Sequence, residues 1–172
     1  MEAPMFWLEL ITTGNSYKYL GSNPNKDIIL EVATAITDAS LDKVIIGPQA
    51  IIQANKDTAY KDCKLLEEAY KSTKTIEEIE EKLLKFVKET VKDTKVELAG
   101  KHCSKTREFL VKYMPTLNEA LDYHNVDLRS ILYCCNIWTH KYFELKESER
   151  AEEALMEGIE VLRKVKALIF HH

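Results

Sequence analysis

The chain has 172 residues, of which 45% are hydrophobic and 30% are charged. This length suits one globular domain, and this composition excludes an intrinsically disordered chain. Lys and Arg number 24 against 28 Asp and Glu, so the formal net charge is −4. Because duplex DNA binding needs many cations to neutralise phosphates, we do not expect duplex DNA as a partner. No apolar run approaches the roughly 18 residues of a membrane span, and we expect no membrane contact.

The two ends of the sequence and its cysteines bear on where the protein works. Residues 1–4 lack the basic segment of a secretion signal and the Arg-rich face of a transit peptide, so we expect an intracellular protein, cytoplasmic or mitochondrial. We interpret residues 171–172 as the stub of a purification tag, which leaves residues 1–170 as one domain. The four cysteines fit neither a disulfide framework nor a CxxC pair, and we expect reduced thiols at Cys63, Cys103, Cys134 and Cys135.

The first third of the chain is predicted to form strands. Alternating and β-branched runs place them at residues 6–11, 28–37 and 44–53. A polar loop at residues 15–27 separates the first two, and residues 41–43 connect the second and third as a hairpin. Pro48 cannot donate to a sheet ladder, so the third strand is predicted to lie at an edge or to contain a bulge.

The rest of the chain alternates helices with short strands. Thr75 and Glu78 form a capping-box pattern at the start of an amphipathic helix. Later segments are predicted in this order: a strand at 95–99, a helix at 106–113, a helical turn at 117–123, a strand at 125–128, and helices at 130–138 and 148–169. Three strands followed by this alternation predict an α/β fold, in which helices flank a mixed five-stranded sheet. This order suits a ribonuclease-H-like architecture in a single domain.

Several segments resemble the motifs of the oligoribonuclease family. Residues 7–14, Trp-Leu-Glu-Leu-Ile-Thr-Thr-Gly, resemble that family's Trp-Ile-Asp-Leu-Glu-Met-Thr-Gly. Residues 112–115, Lys-Tyr-Met-Pro, and residues 121–127 resemble later motifs, and Trp138 matches a Trp in the following helix. The resemblance covers nearly the whole chain in one register. It implies a ribonuclease-H-like fold, 3′-to-5′ exoribonuclease activity on very short RNAs, a homodimer, and two divalent metals, Mg²⁺ or Mn²⁺.

The family's catalytic set comprises four acids and a histidine, and the resemblance places none of these residue types unchanged in this chain. The five positions carry, in order, Glu9, Ile11, Thr106, Glu149 and Ala154. Two-metal hydrolysis needs clustered anionic oxygens, and Ile11 and Ala154 have none. We therefore expect no enzyme and no metal cofactor. The expected role is that of a pseudonuclease, either a protein-interaction scaffold or a non-cleaving binder of short single-stranded RNA. The alternative is a weak metal-dependent 3′-to-5′ exoribonuclease that uses Glu9 and Glu149.

The resemblance also implies binding residues. The RNA groove corresponds to Leu10, Thr13, Gly14, Lys101 and Tyr123, and Trp138 corresponds to a position near the dimer contact. Structural alternatives remain, because Thr13 and Gly14 can form the turn after a strand, while Tyr123 and Trp138 can pack in the core. The segment 54–74 is shorter than in the family and lacks its Trp, which Tyr60 and Tyr70 would partly replace.

Two metal sites outside the family pattern are disfavoured. A site at Glu9, Glu149 and Glu153 is disfavoured because the family's other metal ligands are missing. Glu153 does not replace the ligand missing at Ala154, because neighbouring residues point about 100° apart around a helix. A zinc site is not expected because no pair has zinc-finger spacing among His102, Cys103, Cys134, Cys135 and His140.

Overall fold

One mixed sheet forms the centre of the protein. The computed structural model describes residues 3–14, 22–56, 64–92 and 95–169. The strands are β1 (Met5–Thr12), β2 (Ile29–Thr37), β3 (Val44–Ile51), β4 (Glu97–Gly100) and β5 (Asn125–Asp127), in the spatial order β3-β2-β1-β4-β5. Strand β1 runs antiparallel to β2 and parallel to β4. The predicted α/β fold with a mixed five-stranded sheet is confirmed.

Helices cover both faces of this sheet. The described residues contain α1 (Lys64–Lys71), α2 (Ile76–Val91), α3 (Cys103–Tyr113), α4 (Pro115–Ala120), α5 (Leu128–Thr139) and α6 (Ala151–Ile169). Trp7 and Ile11 pack with α1, α5 and α6, whereas Phe6 and Leu8 pack with α2, α3 and α4. Because side chains alternate along a strand, β1 is buried on both faces. No helix in the described ranges has the length and apolar character to span a membrane.

The irregularity predicted at Pro48 is present. Strand β3 lies at the edge of the sheet, and its pairing with β2 shifts register between Ala33 and Ala35. The Thr34 hydroxyl donates to the Pro48 carbonyl at 2.9 Å. Because β3 has no neighbouring strand on its outer side, the absence of an N–H at Pro48 removes no hydrogen bond between strands there.

One helix was not predicted, and several others begin at residues other than those predicted; α3, for example, begins at Cys103 rather than residue 106. Helix α1 was not predicted, although Leu65, Leu66 and Ala69 bury one of its faces. Helix α4 begins at Pro115 rather than residue 117, since proline needs no N–H in the first turn of a helix. Helix α6 begins at Ala151 rather than residue 148, where the Glu31 carboxylate accepts the Ala151 N–H at 2.8 Å.

Replacing Thr75 with Ala is expected to destabilise the protein by about 1 kcal/mol. Thr75 and Glu78 form the predicted capping box at the start of α2, with reciprocal bonds of 3.3 Å and 3.1 Å. Urea unfolding followed by circular dichroism measures the change. The neighbouring exposed variant Lys74→Ala is the control, and equal losses in both variants would remove the cap as the cause.

Candidate functional site

Glu9 lies on a central strand, on the face of the sheet covered by α5 and α6. Strand β1 runs between β2 and β4, and Glu9 pairs with Ala33. It shares its face with Trp7 and Ile11 because these residues are two positions away on either side. Glu9 is only 8% exposed, and its Oε1 accepts the backbone N–H of Lys101 at 2.8 Å.

Burial changes the acidity of Glu9. The pKa of its carboxyl is raised from 4.5 to about 7, chiefly because burial disfavours the ionised form. The backbone N–H and the charge of Lys101 lower the pKa, whereas the nearby charges of Glu157 and Asp127 raise it. A carboxyl with a pKa near 7 exchanges protons at neutral pH, which suits general acid–base chemistry.

Lys101 is a buried cation beside Glu9. Its side chain is 7% exposed, and its Nζ forms an ion pair with Glu157 of α6. The same Nζ donates to the Lys146 carbonyl at 3.1 Å, and the Lys146 N–H donates to Glu157 at 2.7 Å. A Cβ at Gly158 would lie 3.9 Å from Lys101 Cγ, so α6 passes close to the stem of this side chain. Lys101, predicted for the RNA groove, is thus held inside the protein.

Ile11, which stands where the family has its second carboxylate, is part of the hydrophobic core. Ile11 is buried among the side chains of α1, α5 and α6, and its partner across β2 is Glu31. Glu31 Oε1 accepts from Arg150 Nε at 3.0 Å and from Nη2 at 2.7 Å, and Glu31 Oε2 accepts from Arg150 Nε at 3.2 Å, besides the bond from Ala151. This bidentate bond raises the pKa of Arg150 above its usual range. The Glu31–Arg150 ion pair therefore lies at the N-terminus of α6, next to Ile11.

The remaining family positions add little to a metal site. Thr106 and Ala154 are buried without a carboxylate, while Glu149 and Glu153 are exposed. Within the described ranges, no group of three or more His, Cys, Asp or Glu side chains is placed to hold a metal ion. A two-metal centre needs several such oxygens converging on both ions, so these residues do not fit the family's Mg²⁺ or Mn²⁺ pair.

Thr13 and Gly14 form a corner at the end of β1. The Thr13 hydroxyl donates to Asp27 at 3.0 Å, and a Cβ at Gly14 would lie 2.3 Å from the same carboxylate. Gly14 is therefore required by the turn itself. Leu10 packs against the core on the opposite face from Glu9. The structural alternative for Thr13 and Gly14 thus has direct support, and the loop that follows lies outside the described residues.

Tyr123 and Trp138 are surface residues rather than core residues. Tyr123 is 80% exposed, and its ring lies 3.9 Å from the ring of His124. It borders a cleft of about 380 Å³ that Lys95, Arg107 and Asn125 also line. This cleft lies near the start of β4 and β5, whereas Lys101 follows the end of β4. The structure therefore does not bring Tyr123 next to Glu9 within one chain. Trp138 is 75% exposed on α5.

The described cysteines are free thiols. Cys103 is buried, and burial raises its pKa to about 12, so the thiol stays protonated at neutral pH. Cys63 and Tyr60 lie outside the described residues. Tyr70 is half-buried against the core beneath α1 rather than presented as an open aromatic surface.

Sequence reasoning missed Glu157, Asp127 and Glu31 as charged parts of this site. Asp127 accepts the Cys103 N–H at 2.9 Å and the Ser130 N–H at 2.9 Å, so one carboxylate caps both α3 and α5. A signal existed for Glu31, since it is an acid within a continuous apolar strand. Glu157 is partly buried, but nothing in its spacing separates it from the exposed acids of α6, such as Glu152 and Glu153.

Curated relatives match nearly the whole chain. The oligoribonuclease of Bordetella pertussis is 30% identical over 94% of this chain and 93% of its own length. The probable oligoribonuclease of Dictyostelium discoideum is 30% identical over 96% of this chain and 90% of its own length. The oligoribonuclease of Ralstonia nicotianae is 30% identical over 92% of this chain and 75% of its own length. No family model matches the chain.

Solved structures share the fold. E. coli exonuclease I in complex with a 5cy-dT13 oligonucleotide matches 97% of this chain with a TM-score of 0.70 at 13% identity, and the chain spans 41% of that protein. The nuclease domain of 3′hExo, a DEDDh family member bound to rAMP, matches 97% of this chain and 92% of its own length. Its TM-score is 0.58 at 11% identity.

These relatives correct one expectation. The prediction that the chain is not an enzyme is wrong, because the relatives that match nearly the whole chain are named for an enzyme, oligoribonuclease. The prediction relied on five side chains, and their replacement alone does not show that activity is lost. Glu9 still places a buried carboxylate on the central strand. With 30% identity to curated oligoribonucleases along nearly its whole length, the chain belongs to the oligoribonuclease family.

Proposed function

We propose that this protein is a weak 3′-to-5′ exoribonuclease that acts on short single-stranded RNA. The observation that carries the proposal is the 30% identity to oligoribonucleases across nearly the whole chain. Two neighbours in fold support the substrate class, since E. coli exonuclease I forms a complex with an oligonucleotide and the nuclease domain of 3′hExo binds rAMP.

Glu9 is the residue we assign to proton transfer. In its ionised form the carboxylate accepts a proton from the water that attacks the phosphorus. As the bond from phosphorus to the 3′-oxygen of the shortened RNA breaks, the neutral carboxyl donates that proton to the departing oxygen. A pKa of about 7 makes both forms available at neutral pH. The described residues do not fit the family's metal pair, so Glu9 acts with few supporting groups. We therefore expect slow turnover.

Tyr123, which does not lie next to Glu9 within one chain, offers a separate surface for RNA bases. Base stacking on an aromatic ring contributes about 1–3 kcal/mol per base and tolerates any sequence. The 80% exposed ring of Tyr123 borders a cleft with Lys95 and Arg107. Aromatic and cationic groups together are the usual surface for a single strand.

The proposal is tested with 5′-labelled RNAs of two to five nucleotides, incubated with Mg²⁺, Mn²⁺ or EDTA. Wild type is expected to shorten them, and Glu9→Gln is expected to lose about 10²-fold or more in rate, as for loss of a general base. Glu153→Gln, an exposed acid on α6, is the matched control and keeps the wild-type rate. Folded wild type that leaves every RNA intact would refute the proposal, and equal rates in Glu9→Gln and wild type would refute the role of Glu9.

The dimer implied by the resemblance is also proposed, with Trp138 in its contact. Tyr133, Ile137 and Trp138 of α5 are 69%, 50% and 75% exposed. Aromatic residues are enriched at protein interfaces. Light scattering is expected to give twice the chain mass for wild type and the single mass for Trp138→Ala. A wild-type protein that stays monomeric at all concentrations would contradict this part.

A further inference from the structure

The segment that carries Tyr123 lies between α4 and β5, in neither a helix nor a strand. Residues 121–124 form this connection. The ring of Tyr123 lies against the ring of His124, with the two centroids 3.9 Å apart. The Asp122 carboxylate accepts the His124 backbone N–H at 2.9 Å and lies 2.8 Å from His124 Nδ1. Because no helix or sheet ladder passes through these residues, the position of Tyr123 depends on bonds from neighbouring elements.

Arg107 of α3 holds the backbone on both sides of Tyr123. Its Nη2 donates to the carbonyl of Asp122, the residue before Tyr123. The same Nη2 donates to the carbonyl of His124, the residue after Tyr123, at 3.4 Å. One nitrogen therefore binds the two carbonyls that flank the exposed aromatic residue.

The other donors of Arg107 are also used within the chain. Nη1 donates to the side-chain oxygen of Asn118 at 3.0 Å and to its carbonyl at 3.4 Å. Nε donates to the side-chain oxygen of Asn125 at 3.0 Å. Arginine has five N–H groups, and this half-buried guanidinium makes five such bonds. An RNA phosphate would therefore have to displace a bond that the chain already makes.

We propose that Arg107 is a positioning residue, which holds the ring of Tyr123 beside the cleft so that an RNA base stacks on it. A ring that is already in place when the base arrives does not have to be ordered on binding, and this preorganisation raises affinity. The planar fork of a guanidinium suits the task, whereas a lysine ammonium is a compact group without that fork. Only the effect on RNA rests on the proposed function, because the contact between Tyr123 and His124 is measurable without RNA.

Arg107 has two other interpretations. In the first, it only stabilises the packing of α3 against α4 and β5, and its replacement leaves the RNA affinity of the folded protein unchanged. In the second, its charge attracts RNA directly, and Arg107→Lys keeps the affinity. Positioning predicts that both Arg107→Gln and Arg107→Lys weaken RNA binding, and that Arg107→Gln causes no further loss once Tyr123 is replaced.

The first arm of the experiment is nuclear magnetic resonance of the His124 ring protons without RNA. In wild type the ring of Tyr123 shifts these signals, and Tyr123→Ala gives their unshifted positions. Arg107→Gln and Arg107→Lys are expected to lose most of the shift. Arg163→Gln is the matched control and keeps it, because this substitution removes a guanidinium bond to a different carbonyl, that of Leu41.

The second arm is fluorescence anisotropy of a 5′-labelled RNA trinucleotide in EDTA. Tyr123→Ala is expected to bind about tenfold more weakly than wild type, as for the loss of one stacked base. Arg107→Gln and Arg107→Lys lose most of the same factor, and Arg163→Gln loses none of it. The double variant Arg107→Gln/Tyr123→Ala binds as Tyr123→Ala does, because residues that act through one another do not add their effects.

Three results would overturn the proposal: an unchanged His124 shift in folded Arg107→Lys, wild-type RNA affinity in the same variant, or losses that multiply in the double variant. If Arg107→Gln does not fold, Arg107→Lys and Arg107→Lys/Tyr123→Ala serve both arms. A wild-type protein that binds no RNA would refute the RNA role of both residues, while the first arm still decides whether Arg107 positions the ring. Failure of the proposed function is seen separately, as RNA that is bound but never shortened.

Discussion

Glu9→Gln is expected to stabilise the protein by about 3 kcal/mol above pH 7 and to leave its stability nearly unchanged below pH 4.5. The reason is that the pKa of the Glu9 carboxyl is raised from 4.5 to about 7 in the folded protein. Between these pH values the folded state keeps the Glu9 proton while the unfolded state loses it. Wild type therefore loses stability as the pH rises through this window. Gln is always neutral and keeps an acceptor oxygen for the Lys101 N–H, so it avoids that loss.

Urea unfolding of both proteins across this pH window measures the effect. The difference between the two free energies of unfolding cancels the titration of every group that they share. It is expected to grow steadily between pH 4.5 and 7 and then to level off. Parallel curves for the two proteins would contradict the raised pKa of Glu9.

Trp7→Ala is expected to cost about 3–5 kcal/mol of stability, as for other large-to-small changes in a core. Trp7 is fully buried between β2 and α6, and its Nε1 donates to the Thr37 hydroxyl at 3.0 Å. The variant leaves a cavity and removes the donor for a fully buried hydroxyl. Both losses act on the same side of the sheet as Glu9.

The control for Trp7 is Tyr142→Ala, an aromatic truncation at a residue that is 82% exposed. Chemical unfolding followed by far-ultraviolet circular dichroism is suitable, because it does not depend on tryptophan fluorescence. The control is expected to change stability by less than about 0.5 kcal/mol. Similar losses in the two variants would show that Trp7 is not an anchor of the core.

Strands were predictable from the sequence because their signal is local. Burial on both faces makes β1 and β2 mostly apolar runs, each with one glutamate, and Pro48 alone indicates an edge or a bulge. The capping box at Thr75 is local too, since donor and acceptor lie three residues apart. Each of these features is encoded within one short window.

Helix starts were less predictable where the cap comes from another element. Asp127 caps α3 from 24 residues away, and Glu31 caps α6 from 120 residues away. No local pattern at Cys103 or Ala151 reports these bonds. The predicted starts were displaced by three residues in each case, late for α3 and early for α6.

The sequence indicated where the candidate site lies, but not which side chains are buried and paired there. The resemblance located Glu9 and the turn that carries Lys101. The sequence could not show that Lys101 is buried, because its partners Glu157 and Lys146 lie 56 and 45 residues away. It also could not show that Ile11 packs into the core beside the Glu31–Arg150 pair.

The most direct test of exoribonuclease activity is the length of a 5′-labelled RNA pentanucleotide over time with wild-type protein. We predict stepwise loss of single nucleotides from the 3′ end, at a rate that falls in Glu9→Gln. A pentanucleotide that stays intact with folded protein in molar excess would contradict it.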